Sequence, residues 1–255
     1  MKVVSMGAGN VATHLISELY KNSFDIVQVY SRTDRSAEIL AEKVNAMPVT
    51  DLRAIVKDAD LYIFSLKDSA LEGVAAQLMG CSGLWLHTAG SVPMDIFSNY
   101  ALHYGVFYPF QTFSKDRNVS WKEIPVFLEA SDTKSLDTIR NIANQLSNKV
   151  FNLSSEDRKY LHLTGVFACN FTNHMYTLSE QFLKKINLPF EVSFPLIDET
   201  ASKVHSLSPE DAQTGPAVRF DENIIHKHLS LIEDEDLKEI YKLISENIHK
   251  SSNKS

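Results

Sequence analysis

Residues 2–12 read Lys-Val-Val-Ser-Met-Gly-Ala-Gly-Asn-Val-Ala, a short apolar run followed at once by the pattern G-x-G-x-x-A. The run Lys2–Met6 has the length and composition of a buried strand. Apolar residues then recur at Val11, Leu15, Ile16 and Leu19, a spacing that predicts a helix over Asn10–Lys21. A glycine pair is weak by itself and gains meaning only between a strand and a helix. Here Gly7 permits the tight turn, Gly9 lets a pyrophosphate approach the backbone, and Ala12 keeps helix and strand close. The helix start offers free amides and a partial positive charge to phosphates. Gly7, Ala8, Gly9, Asn10 and Val11 are therefore the expected phosphate cradle of a dinucleotide.

The next strand, Ile26–Tyr30, selects between dinucleotides. A carboxylate near its end would bind a ribose 2′-hydroxyl and repel a 2′-phosphate. The chain instead reads Tyr30-Ser31-Arg32-Thr33, with no acid at the tip. Ser31 and Thr33 can donate to a phosphate, and Arg32 can pair with it or stack on adenine. Arg35 is a second cation nearby, and Asp34 lies past the usual acid position, where it can cap the following helix. NADP is expected over NAD.

Outward from this core the first half alternates strand and helix. Helix-like Arg35–Val44 precedes a short strand, Met47–Val49. Leu61–Leu66 is a continuous apolar run, as in a strand covered on both faces. A helix over Leu71–Met79 and a strand over Leu84–His87 follow. Weaker strands fall at Val106–Tyr108, Pro125–Glu129 and Val150–Leu153, with a helix over Thr133–Leu146. This rhythm predicts an α/β Rossmann domain with a mostly parallel sheet. The second half is helical. Tyr160, Leu163, Phe167, Phe171, Met175, Leu178, Phe182 and Ile186 form one stripe of a long helix over Glu156–Asn187, stopped by Pro189. Phe194–His205 reads as another helix, Ser208-Pro209-Glu210 as a helix start, and Leu237–Ile248 as a final amphipathic helix behind the acids Glu233–Asp236. The boundary falls near 153: residues 1–153 form the dinucleotide-binding domain and 154–255 an all-α domain for substrate and dimerisation.

Glycine follows the same division. Seven of nine glycines lie at or before Gly105, leaving only Gly165 and Gly215 beyond. The 255 residues carry 25 basic and 32 acidic side chains, a net charge of −7, so no nucleic-acid partner is expected. Two cysteines, Cys81 and Cys169, make neither a disulfide scaffold nor a cysteine zinc site. His226 and His228 fall on different helix faces, and no metal is expected. No apolar run approaches the ~18 residues of a membrane span. With a strand starting at Lys2, neither a signal peptide nor a membrane partner is expected, and the location is expected to be cytoplasmic.

Several segments carry a resemblance. Leu86-His87-Thr88-Ala89-Gly90-Ser91, Tyr108-Pro109-Phe110-Gln111-Thr112-Phe113, Val166-Phe167-Ala168-Cys169-Asn170-Phe171 and Thr214-Gly215-Pro216-Ala217-Val218-Arg219 resemble the Rossmann-like proteins with a helical C-terminal domain of unknown function. That family is grouped with the deazaflavin-dependent NADP oxidoreductases. The N-terminal part, with GAGNVA, YSRT and ADLYIFSLKDSAL, is similar to pyrroline-5-carboxylate reductase. The resemblance implies a Rossmann fold, NADP and oxidoreductase chemistry, and it specifies no reaction. The family pattern has His where Tyr108 stands, so no acid–base role is carried over to that position.

The remaining candidates follow from placement. In an open α/β sheet the ligand lies across the carboxyl ends of the strands. Ser65, Leu66, Lys67, Thr88, Ala89 and Gly90 should line the cofactor, although Lys67 reads equally well as a solvated charge. His87 ends an apolar strand and reads as a core histidine. A polar stripe, His162, Val166, Asn170, Asn173 and Thr177, runs beside the apolar one. His162 is the candidate acid, with Asn170 and Ser91 orienting substrate. Gln111, Asn173, Thr214 and Arg219 are lesser substrate candidates, and Arg219 can equally pair with Asp221. Hydroxyacid dehydrogenases of similar architecture place Lys four residues before an Asn on this helix, where this chain has Val166. The Gly-Thr-Thr segment of pyrroline-5-carboxylate reductase has no counterpart beyond the composition of Thr214-Gly215-Pro216. Two functions stay open: an NADP-dependent oxidoreductase of an unidentified small molecule, and a non-catalytic NADP-binding or redox-sensing protein. The aromatic stripe is more apolar surface than about 100 residues bury alone, so a homodimer through the helical domain is expected.

Overall fold

A computed structural model describes residues 1–253. The chain forms two compact units, Met1–Met175 and Tyr176–Ser255. The first is built on one eight-stranded sheet. Its strands are β1 (Lys2–Met6), β2 (Asp25–Tyr30), β3 (Met47–Val49), β4 (Leu61–Phe64), β5 (Leu84–His87), β6 (Tyr104–Pro109), β7 (Val126–Ala130) and β8 (Val150–Asn152). They lie in the order β3-β2-β1-β4-β5-β6-β7-β8. β1 to β6 are parallel, β7 runs antiparallel to β6, and β8 is parallel to β7. The chain reverses its direction of travel across the sheet between β1 and β4. Such a reversal opens a crevice at the carboxyl ends of those strands.

Strand periodicity places the core. Val3, Leu61 and Leu84 point to one layer, where they meet Leu15, Ile16 and Leu19 of α1 (Asn10–Lys21). Their neighbours Val4, Tyr62 and Trp85 point to the other layer, against Phe97 and Leu71. Leu15, Ile16 and Leu19 are completely buried, each contributing about 1.5–3 kcal/mol. The expected α/β architecture is thus present, with α2 (Asp34–Lys43), α3 (Asp68–Ala75) and α4 (Thr133–Leu146) completing the layers. α4 begins where Asp132 accepts the Ser135 amide at 2.9 Å and its hydroxyl at 2.6 Å.

Several boundaries differ from expectation. The strand at Leu61 ends at Phe64, because Ser65 and Leu66 already turn toward α3, whose first residue is Asp68. The long helix is not continuous. It consists of α5 (Ser155–Gly165), a π turn over Val166–Phe171, and α6 (Thr172–Lys185). Asn187, with φ of 57°, ends it ahead of Pro189. The sheet ends at Asn152, yet α5 belongs to the first compact unit.

In the second unit α7 (Phe194–Lys203), α8 (Glu222–Leu231) and α9 (Glu235–Ser252) follow α6. Ser208 accepts the Asp211 amide at 3.1 Å, as an N-cap would. The expected helix nevertheless stops after a single turn, and Gly215 lies beyond it with φ of 108°. Asp234 caps α9 by accepting the Leu237 amide at 2.9 Å. The apolar stripe is not a core. Tyr160 is 75% exposed, Phe167 62% and Ile186 63%. α6 and α7 contain no buried residue. Among the described residues no helix is long and apolar enough to cross a membrane.

Candidate functional site

The turn after β1 is held by its own backbone. The Gly7 amide donates to Tyr30 O at 2.9 Å, and the Ser5 hydroxyl donates to Gly7 O at 2.8 Å. Gly7 has φ of 129°, and a Cβ there would collide with the Ser65 carbonyl. Only glycine joins β1 to α1 this way. Gly9 occupies the N-cap of α1, with no side chain capping the helix. A Cβ on Gly9 would meet no protein atom within 4 Å. Its small size is therefore not required by the protein's own packing. Open space over an uncapped helix start fits a bound phosphate group.

At the end of β2 the geometry also suits an anion. Thr33 is the N-cap of α2, and its hydroxyl donates to Ser36 at 2.9 Å. Asp34 is the first residue of α2 rather than its cap. Arg32 and Arg35 are both exposed, and neither has a carboxylate partner among the described residues. Ser65 and Thr88 join the next two strand ends, Thr88 Oγ1 donating to Ser65 Oγ at 3.1 Å. Lys67 is exposed at the N-cap of α3. Ser91 points elsewhere: its hydroxyl donates to Asp68 at 2.5 Å, and it does not line the cavity described next.

A cavity of about 380 Å³ opens against the first turn of α1, at Asn10 and Val11. Tyr108, Phe110, Gln111, Thr112 and Phe113, from the end of β6 and its loop, form one wall. His162, Gly165, Ala168, Cys169 and Asn170, from α5 and the π turn, form the other. His162, Asn170 and Gln111 are thus brought together. Asn173 is not among the lining residues. An α-helix turns 100° per residue, so positions 162 and 170 would be about 80° apart in a regular helix. The π turn adds a residue to one turn and rotates Asn170 back toward the face of His162. Gly165 answers a need for proximity, since a Cβ there would lie 3.0 Å from the Phe110 ring. Tyr108 Oη lies 3.1 Å from His162 Nδ1. Gly90 sits against both, and a Cβ on it would collide with the imidazole and press on Tyr108 Oη.

One buried ion pair fixes this wall. Arg158, 1% exposed, donates to Glu129 at 2.7 Å, to the Val92 carbonyl at 2.6 Å and to Ser155 Oγ at 3.1 Å. Glu129 on β7 also accepts the Ser155 amide and hydroxyl. The start of α5, the loop after β5 and β7 are thereby tied together, and His162 stands one helical turn beyond Arg158. Burial pushes the Tyr108 hydroxyl above the ordinary tyrosine range, and the Arg158 guanidinium opposes this more weakly. His87 is completely buried. Burial, and then the charge of Arg158, push its imidazole down to about 3, which fits a core residue.

Thr214 and Arg219 lie in the second unit, both exposed. The considered Arg219–Asp221 pair does not form. Asp221 instead caps α8 by accepting the Ile224 amide at 3.3 Å. Sequence reasoning missed Phe110, Phe113, Ala168 and Cys169 as lining, and the Arg158–Glu129 anchor. Only Gly165, as a glycine inside a helix, signalled the close packing.

Comparison with known proteins bears on the family and the fold. Residues 2–85 match the family described as NADP oxidoreductase coenzyme F420-dependent, and residues 124–248 match a domain of unknown function, DUF2520. No curated protein matches the chain. A solved structure from Bacteroides fragilis, assigned as an NADP oxidoreductase, is 53% identical over 98% of both chains, with a TM-score of 0.95. The 1-pyrroline-5-carboxylate reductase of Streptococcus pyogenes shares the fold at 16% identity, over 100% of this chain and 97% of that one, with a TM-score of 0.60. The imine reductase of Myxococcus stipitatus in complex with NADP+ shares it at 15% identity, over 100% and 93%, with a TM-score of 0.61. The chain belongs to the family of the Bacteroides fragilis protein, NAD(P)-binding oxidoreductases that join an F420-dependent-type NADP oxidoreductase domain to a DUF2520 domain.

Proposed function

We propose that this chain is an NADP-dependent oxidoreductase that reduces or oxidises a small molecule in the cavity between Tyr108–Phe113 and α5. The observation that carries this is shared lining: Asn10 and Val11, at the phosphate-cradling start of α1, also floor the cavity. NADP(H), when bound, supplies or accepts the hydride. Gly7, Ala8, Gly9, Asn10 and Val11 hold its pyrophosphate. Ser31, Arg32 and Thr33 hold the 2′-phosphate, with no carboxylate at the strand tip to oppose them. Ser65, Leu66, Lys67, Thr88, Ala89 and Gly90 border the ribose and nicotinamide. His162 exchanges the proton that accompanies hydride, and Asn170 and Gln111 orient the substrate. Ser91, engaged with Asp68, is left out of this set. The exposed stripe from Tyr160 to Ile186 is covered by a second copy of the chain.

A structure with NADP bound tests the assignment. The nicotinamide C4 is expected within reach of a substrate atom held by His162 and Asn170. A C4 far from both residues would remove their roles and favour the non-catalytic NADP-binding reading. A substrate screen read at the NADPH absorbance then identifies the small molecule.

A further inference from the structure

Tyr108 and His162 are 54 positions apart, and the fold brings them to 3.1 Å through two independent supports. Tyr108 sits near the end of β6, beside the loop after β5. His162 sits on α5, one turn past the buried Arg158. Both side chains line the same cavity. Gly90 provides the room, since any side chain there would push into both. With Nδ1 turned to Tyr108, Nε2 is the ring nitrogen left for the cavity.

We propose that Tyr108 is the proton source behind His162, donating its hydroxyl hydrogen bond to Nδ1 and so keeping the imidazole proton on Nε2. This rests on the oxidoreductase reading above and adds a residue to it. A neutral imidazole that gives up its Nε2 proton becomes an unfavourable anion unless Nδ1 gains one. Tyr108 supplies it. When hydride reaches the carbon of a C=O or C=N bond, the π pair moves to the heteroatom. That atom takes the proton from His162 Nε2, and Nδ1 takes the proton from Tyr108. The phenolate left on Tyr108, which feels the charge of Arg158, takes its proton back from Nδ1 as solvent protonates Nε2, and the starting tautomer is restored. Oxidation runs the same transfers backward. At rest the phenol is protonated, as any tyrosine is well below about 10; burial disfavours the phenolate and the Arg158 charge opposes that penalty.

The test is the tautomer of His162 in the full-length protein, read from ¹⁵N-resolved imidazole spectra and assigned with His162→Gln. The expected wild-type signature is an unprotonated acceptor Nδ1 and a protonated Nε2. Tyr108→Phe is expected to release a mixture of tautomers while changing the NADPH dissociation constant less than about twofold, since no phosphate contact is lost. Gly90→Ala, which forces the pair apart, is expected to give the same mixture and serves should the first variant not fold. A proton on Nδ1 in the wild type, or an unchanged tautomer in both variants, would overturn the relay. The spectra need no cofactor. A wild type that fails to bind NADPH would instead overturn the proposed function, so the two failures are distinguishable.

Discussion

Acid should unfold this protein through His87. The side chain is completely buried at the end of β5, where its Nδ1 accepts the Ala89 amide at 3.2 Å and its ring meets Phe97 edge-on. An unfolded imidazole takes a proton near 6.5. In the folded chain, burial first and Arg158 second lower this to about 3. Between those values the unfolded chain binds more protons, so stability rises with pH through this window. The contribution is fully present above about 6.5 and is lost as the pH falls toward 3. At pH 5 the loss amounts to about 2 kcal/mol, from 1.36 kcal/mol per unit over about 1.5 units. The assay is urea unfolding of wild type and His87→Asn at pH 7 and pH 5, at one protein concentration. Asparagine keeps an acceptor for the Ala89 amide and does not titrate. Whatever packing the variant loses at pH 7, the wild type should lose about 2 kcal/mol more than the variant on moving to pH 5. Parallel losses in the two proteins would refute the reasoning.

Two other consequences concern the scaffold. Arg158→Met strands Glu129 beneath α5 and should cost about 3–5 kcal/mol in denaturant unfolding; a loss under 1 kcal/mol would show that water reaches the pair. Phe167→Glu puts a charge in the middle of the exposed aromatic stripe and should convert a dimer to a monomer by light scattering, whereas a monomeric wild type would remove the second copy from the account.

The sequence was most informative where one physical period governs a segment. Asn10–Lys21 and Thr133–Leu146 appear with their expected bounds because a single buried face sets their apolar spacing. The stripe from Tyr160 to Ile186 has the same spacing, but spacing cannot say whether the covering surface belongs to the same chain. The π turn at Val166–Phe171 was invisible, because one extra residue per turn requires no particular residue type. Arg158 carries no local sign of burial, since a cation in the first turns of a helix is ordinarily solvated. Its burial depends on Glu129, which reaches it only after β7 pairs with β6. Tyr108 was given no acid–base role because the resembled family has His there, and its partner His162, on a helix 54 positions away, left no sign in the neighbouring sequence. The strand–turn–helix at Gly7–Val11 was readable because its parts lie within a few residues of one another. The cavity was only partly readable because its walls come from segments far apart in sequence.

The central claim is that the Gly7–Val11 turn and Arg32 bind NADP in preference to NAD. Calorimetric titration of NADPH and NADH into wild type and Arg32→Ala tests it most directly. The account predicts tighter binding of NADPH to the wild type. A charge-assisted hydrogen bond is worth about 1.5–3 kcal/mol, so the variant should lose about ten- to a hundredfold for NADPH and little for NADH. Equal losses for the two nucleotides, or a wild type that binds NADH as tightly as NADPH, would contradict it.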